Sequence, residues 1–281
     1  MESDSAAMRA NCEGDATPRC AGCINAPEYQ RCDSDDRKKL LRAATVLKTA
    51  LVTYRETAYD IDLTRIELGN GVLILRQKPP SIHSRPIRRP FSGHLTGIPE
   101  HREAALVNNQ CTMAMALLSG LTGILLSVLD IHIGKPTLPT RLMPAPDSSN
   151  CPHPVLKAEL NDYGEEWIID TAGAQYGFRV VLVPFPKYIY DPKCRPAGRP
   201  TPYEWTETKD LDFFATHPFG RASKEVIEKH ELERQSRLHS ASFVKNTVKK
   251  ELLDGSDDLF QQKLEKFIAD LRTHMSVLPT V

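Results

Sequence analysis

The chain has 281 residues, 41% hydrophobic and 26% charged, which is enough for one substantial core with extensions and excludes a fibrous or wholly disordered protein. Acidic and basic residues balance at 36 each, so no net field draws the chain to nucleic acid or acidic lipid, and neither nucleic acid nor a membrane is expected as a partner. Local basic clusters (Arg85, Arg88 and Arg89; Lys245, Lys249 and Lys250) read as solvated faces.

Met1, Glu2, Ser3, Asp4 and Ser5 are acidic and small, and they carry neither the basic start nor the apolar stretch of a secretory signal. The cysteines number seven, four of them within the first 32 residues, and their odd count and scatter do not read as a disulfide framework. A reducing compartment, cytoplasm or nucleus, is expected. Cys20 and Cys23 form a CxxC pair whose thiolates can share one metal, and Cys12 and Cys32 bring the thiols to the number that closes a tetrahedral zinc site. Zinc at these N-terminal cysteines is the one cofactor expected, and the rest of the chain requires none. Without a metal this segment reads as loop.

From Asp36 onward Leu40, Leu41, Ala44, Leu47, Leu51 and Tyr54 recur at helical spacing, with Ser34, Asp35 and Asp36 as N-terminal acceptors. Segments 63–68 and 72–75 flank Gly69, Asn70 and Gly71, and the Asn-Gly pair predicts a tight β-hairpin turn. Prolines from Pro79 to Pro99 deprive the following stretch of backbone donors and make it irregular. A helix is predicted over 100–129, broken or capped anew around Asn108 and Asn109. The run from Cys111 to Leu129 is long enough for a bilayer, but Ser119, Gly120, Thr122, Gly123 and Ser127 and the lack of basic anchors make it a buried core helix. After a proline-rich loop over 136–154, segments 155–160 and 166–170 flank a turn at 161–164 and predict a second hairpin. A strand over 178–185, an irregular stretch, and two charged helices over 223–253 and 257–275 complete the chain. No GxGxxG, GxxxxGK[ST] or HExxH pattern is present.

Within this layout Cys111, His153 and Asp170 stand at informative places. A cysteine at a helix start meets clustered backbone donors and the positive end of the helix, which favour a thiolate, and a neighbouring imidazolium favours it further. Those same donors suit an oxyanion. Pairing Leu160 with Glu165 sets His153 opposite Ala172, so His153 and Asp170 fall on one face near one end of the hairpin. Asp170 then fits the member that orients the imidazole and balances its charge. Gln175 is expected to donate to the oxyanion or to hold the loop. The same residues also have a plainer reading, with Cys111 as a buried core thiol, His153 shaping a loop between two prolines and Asp170 capping a turn. Cys151 is a competing thiol without a helix start.

The order of cysteine at a buried helix start, histidine on one strand and aspartate on the next resembles the core of the papain-like and transglutaminase-like superfamily. The segment Trp167-Ile168-Ile169-Asp170-Thr171-Ala172-Gly173-Ala174-Gln175-Tyr176-Gly177 is similar to its Trp-x-x-Asp-Thr-x-x-x-Gln-aromatic-Gly stretch. The resemblance implies acylation of Cys111 by a carboxamide of a protein or peptide, with His153 as acid and base and Asp170 as orienter. At the front, Cys20-Ala21-Gly22-Cys23 through Tyr29, followed by a helix, resembles the MYND-type zinc-finger proteins of filamentous fungi, with the middle of the finger missing. Cys20, Cys23 and Cys32 carry over from that pattern.

The expected protein is therefore α+β. A Cys-rich segment, disordered or a degenerate zinc finger, is expected over 1–34, a core domain of a buried central helix on a small antiparallel sheet over 35–220, and a C-terminal helical extension over 221–281. Its expected function is thiol-dependent amide hydrolysis or acyl transfer. The alternative is a non-catalytic interaction or scaffold protein. Oligomeric state stays open.

Overall fold

The computed structural model describes residues 35–78, 88–126, 131–135, 153–160, 164–191, 194, 201–202 and 224–278. Cys12, Cys20, Cys23 and Cys32, and with them the zinc expectation, lie outside the described residues, as does Cys151.

The chain is α+β. Helix α1 (Asp35–Thr57) buries Leu40, Ala43, Ala44, Leu47, Leu51 and Tyr54 along the face that the apolar spacing predicts. Strands β1 (Leu63–Gly69) and β2 (Val72–Gln77) form an antiparallel hairpin. Its turn needs positive φ at both central residues, and Asn70 (51°) and Gly71 (75°) supply it. Helix α2 (Pro99–Val107) is followed by the expected break, where Asn109 takes the left-handed conformation at φ 57°. Helix α3 (Cys111–Leu117) then begins and runs on through Leu118 into α4 (Ser119–Leu126), by N–H···O bonds from Leu118 to Ala114 and from Thr122 to Leu118. None of the described helices is long and apolar enough to cross a membrane.

The larger sheet comprises β3 (Ile131–Lys135), β4 (Leu156–Leu160), β5 (Glu165–Ile169), β6 (Leu182–Pro184) and β7 (Thr201–Pro202), in the order β6-β5-β4-β3-β7 with antiparallel pairing. Leu160 pairs with Glu165 and Leu156 with Ile169, the register expected from the turn. Alternation sends Leu156, Ala158, Leu160, Trp167 and Ile169 into the main core with α1, α3 and α4. Val155 and Ile168 enter a smaller cluster with Tyr188 and Cys194.

The strand expected over 178–185 is shorter. Only Leu182–Pro184 pairs with β5, since β5 ends at Ile169, opposite Leu182, and residues 178–181 have no ladder partner in it; Pro184 and Pro186 then lead into a short helix, α5 (Phe185–Ile189), as proline fits a helix start.

Helices α6 (Lys224–Thr247) and α7 (Asp257–Ser276) follow, with the last turns of the longer helix expected over 223–253 replaced by a 3₁₀ turn at Lys250–Leu253. Phe260, Leu264, Phe267, Leu271 and Met275 form one face of α7 and, with Phe243 and Val244 of α6, share the main core with α1. Arg42 of α1 fixes the start of α7, donating to Leu253 O (2.6 Å) and to Asp257 (2.7 Å). Arg88, expected on a solvated face, is instead buried and donates to Ser236 Oγ (2.7 Å) and Leu232 O (3.3 Å) of α6. The polar look of α6 thus conceals buried, hydrogen-bonded side chains.

Candidate active site

The first turn of α3 and the open end of the β4–β5 hairpin meet at one place. Gln110 is the N-cap of α3 and Cys111 its first residue. The first intrahelical bond runs from Ala114 N–H to Gln110 O (2.7 Å), so the preceding turn carries the donors that every helix start leaves unmatched within the helix. The cap itself differs from expectation, since neither Asn108 nor Asn109 is the N-cap and Gln110 makes no side-chain cap bond. Cys111 is half-buried, is not in a disulfide, and packs against the main core.

His153 lies just before β4 and is fully buried, at 0% exposure. Its Nε2 is 2.9 Å from Asp170 Oδ1. The thiol of Cys111 is also close enough to the ring to favour its charged form. The edge of the imidazole meets Tyr176, with centroids 4.9 Å apart and planes at 72°. Burial works against a charged imidazole, but the charge and hydrogen bond of Asp170, with Cys111 adding to them, outweigh it and push the ring's pKa up to about 10. The imidazolium is therefore the favoured form at neutral pH, and it stands between a carboxylate and a thiol.

Asp170 sits one residue past β5 and is held on every side. Its backbone N–H donates to Val181 O (2.8 Å). Oδ1 accepts from Ala172 N–H (3.2 Å) as well as facing His153. Oδ2 accepts from the hydroxyl of Tyr188 (2.9 Å). Gly173 borders the same carboxylate so closely that a Cβ there would lie 2.5 Å from Oδ2, which leaves no room for a side chain.

Gln175 is brought to the same place and is engaged there. Its Oε1 accepts the Asn109 N–H (3.0 Å) and its Nε2 donates to Ala172 O (3.1 Å). Of its two expected roles, the amide performs the second. It ties the segment leading into Cys111 to the loop that follows Asp170. Tyr188, Tyr176 and Gly173 complete the site and were not singled out as site residues in the sequence. Tyr188 follows a proline-flanked helix start that gives no sign of facing Asp170, whereas Gly173 and Tyr176 lie in the very segment that carried the superfamily resemblance. Among the described residues no group of three or more His, Cys, Asp or Glu side chains could hold a metal ion.

No family model matches the chain, and no curated protein or solved structure matches it either. The chemistry of the site therefore rests on its own geometry: a half-exposed thiol at a helix start, a buried imidazole with its proton held, and an anchored carboxylate behind it.

Proposed function

We propose that this chain performs thiol-dependent amide chemistry, hydrolysis or acyl transfer, on a carboxamide of a protein or peptide, on a core of papain-like or transglutaminase-like type. The observation that carries the reading is the buried His153–Asp170 pair at 2.9 Å with the Cys111 thiol within reach of the same ring. Cys111 attacks the carbonyl carbon as its thiolate, with His153 as the imidazolium, and backbone donors at the start of α3 receive the developing oxyanion. The C–N bond breaks as His153 gives its proton to the departing amine, leaving a thioester. Water or an acceptor amine then attacks the thioester while His153 takes its proton, and the C–S bond breaks to restore the thiolate beside the imidazolium. Asp170 keeps the ring oriented and balances its charge throughout.

The test is alkylation of the purified protein with iodoacetamide at pH 6.5, with Cys111 followed by peptide mass spectrometry, in the wild type and in His153→Ala. Loss of His153 is expected to slow labelling of Cys111 by at least about tenfold. Equal rates would favour the non-catalytic scaffold reading. Incubation with glutamine-containing peptides should then reveal ammonia release or an acyl adduct on Cys111 that Cys111→Ala lacks.

A further inference from the structure

Tyr188 is the one side chain of the site that comes from α5, and it is 2% exposed. Its hydroxyl donates to Asp170 Oδ2 while Oδ1 takes Ala172 N–H and faces His153 Nε2. The two oxygens of the carboxylate are thus assigned to different partners, and a rotation of the group would break bonds at both ends. The ring of Tyr188 is itself set by packing, tilted against Phe178 with centroids 5.6 Å apart and clustered with Val155, Ile168 and Cys194. Gly173 closes the remaining side of Oδ2 without a Cβ.

We infer that Tyr188 is a positioning residue for the proposed thiol chemistry, fixing the Asp170 carboxylate in the one rotation that presents Oδ1 to His153. The inference rests on the functional reading above and deepens it. The hydroxyl acts through Asp170 and His153. Its hydrogen bond to a buried anion is of the charge-assisted kind, whose loss corresponds to about tenfold or more in an equilibrium. Removing the hydroxyl loosens the hold of the carboxylate on the imidazolium, and the thiol loses its charged neighbour for part of the time.

The experiment compares iodoacetamide labelling of Cys111 at pH 6.5 in the wild type, Tyr188→Phe, Gly173→Ala and His153→Ala, with the Tm of each and the NMR titration of the His153 ring. Tyr188→Phe keeps the ring against Phe178, so it is expected to fold, to label Cys111 about tenfold more slowly, and to titrate His153 at lower pH than the wild type. Gly173→Ala crowds Oδ2 from the opposite side and is expected to slow labelling in the same direction. A folded Tyr188→Phe protein with the wild-type rate and His153 titration, even with a lower Tm, overturns the inference, because a merely structural role moves Tm alone. Should Tyr188→Phe not fold, a folded Gly173→Ala protein at the wild-type rate overturns it equally. If His153→Ala is slow while Tyr188→Phe is not, only the role of Tyr188 falls. If His153→Ala labels as fast as the wild type, the thiol reading falls and takes this inference with it.

Discussion

The antiparallel hairpins β1–β2 and β4–β5 look alike in sequence and are used differently. In β1–β2 the strands are mostly exposed or half-buried, Leu68 stands 63% exposed, and side-chain ion pairs such as Arg65–Glu67 (2.6 Å) and Arg76–Glu67 (3.1 Å) lie at the surface. In β4–β5 one face lies in the main core, Lys157, Glu159 and Glu166 stay half-buried on the other, and only the end that holds His153 and Asp170 is covered on that other side as well, by the smaller cluster of Val155, Ile168, Tyr188 and Cys194. Pairing alone gives a hairpin its shape. Burial on both faces is what allows the second one to hold a charged pair out of water at a fixed distance, since surface ion pairs contribute little and are screened by solvent.

The contrast is broken most severely by placing a charge on the buried side of β5. Ile168→Asp puts a carboxylate at a position with 0% exposure, and a loss of about 3 kcal/mol or more in unfolding free energy is expected, with Cys111 reactivity falling as the hairpin end loosens. The matching change in the first hairpin, Ile74→Asp at 37% exposure, is expected to cost about 1 kcal/mol or less and to leave Cys111 labelling unchanged. Chemical denaturation of the two variants, followed side by side, checks both.

The charged pair itself gives a pH dependence of defined sign. His153 has its pKa raised from an ordinary 6.5 to about 10 in the folded protein, so its contribution to stability is complete below about pH 6.5 and disappears as pH rises through about 10. The Tm difference between wild type and His153→Gln is therefore expected to be largest near pH 6 and to shrink steadily toward pH 10. A difference that grows over that range would contradict the assignment of an imidazolium.

Gln175 sharpens the comparison at a smaller scale. Its amide joins Asn109 N–H and Ala172 O across two segments that no strand connects. Gln175→Ala is expected to lower stability by about 1–2 kcal/mol and to slow Cys111 labelling only severalfold, since Cys111, His153 and Asp170 themselves remain.

The parts of this arrangement that could be read in the sequence are those dictated by local chemistry. Asn70 and Gly71 announce their turn, Asn108 and Asn109 announce the break before α3, and the Leu160–Glu165 register follows from the length of the 161–164 turn and the alternation of the strands. That register alone sets His153 and Asp170 near one end of the hairpin on one face. Long-range burial was less legible. Ser236, Arg237 and Ser240 of α6 are buried although their types belong to surfaces, and the partner that meets Ser236, Arg88, lies far away in sequence. Val180 and Val181 have strand-like side chains, yet the ladder begins only at Leu182, and Pro184 and Pro186 open the helix that delivers Tyr188 to Asp170. A hydroxyl that meets its carboxylate only through tertiary packing leaves no periodic signal.

The most direct measurement is the rate of Cys111 alkylation across pH 6 to 9, with and without His153. An imidazolium that keeps its proton to about pH 10 beside the thiol predicts that wild-type labelling exceeds that of His153→Ala by at least about tenfold at the acid end of this range. Two superimposable curves would contradict the proposal that Cys111, His153 and Asp170 work together.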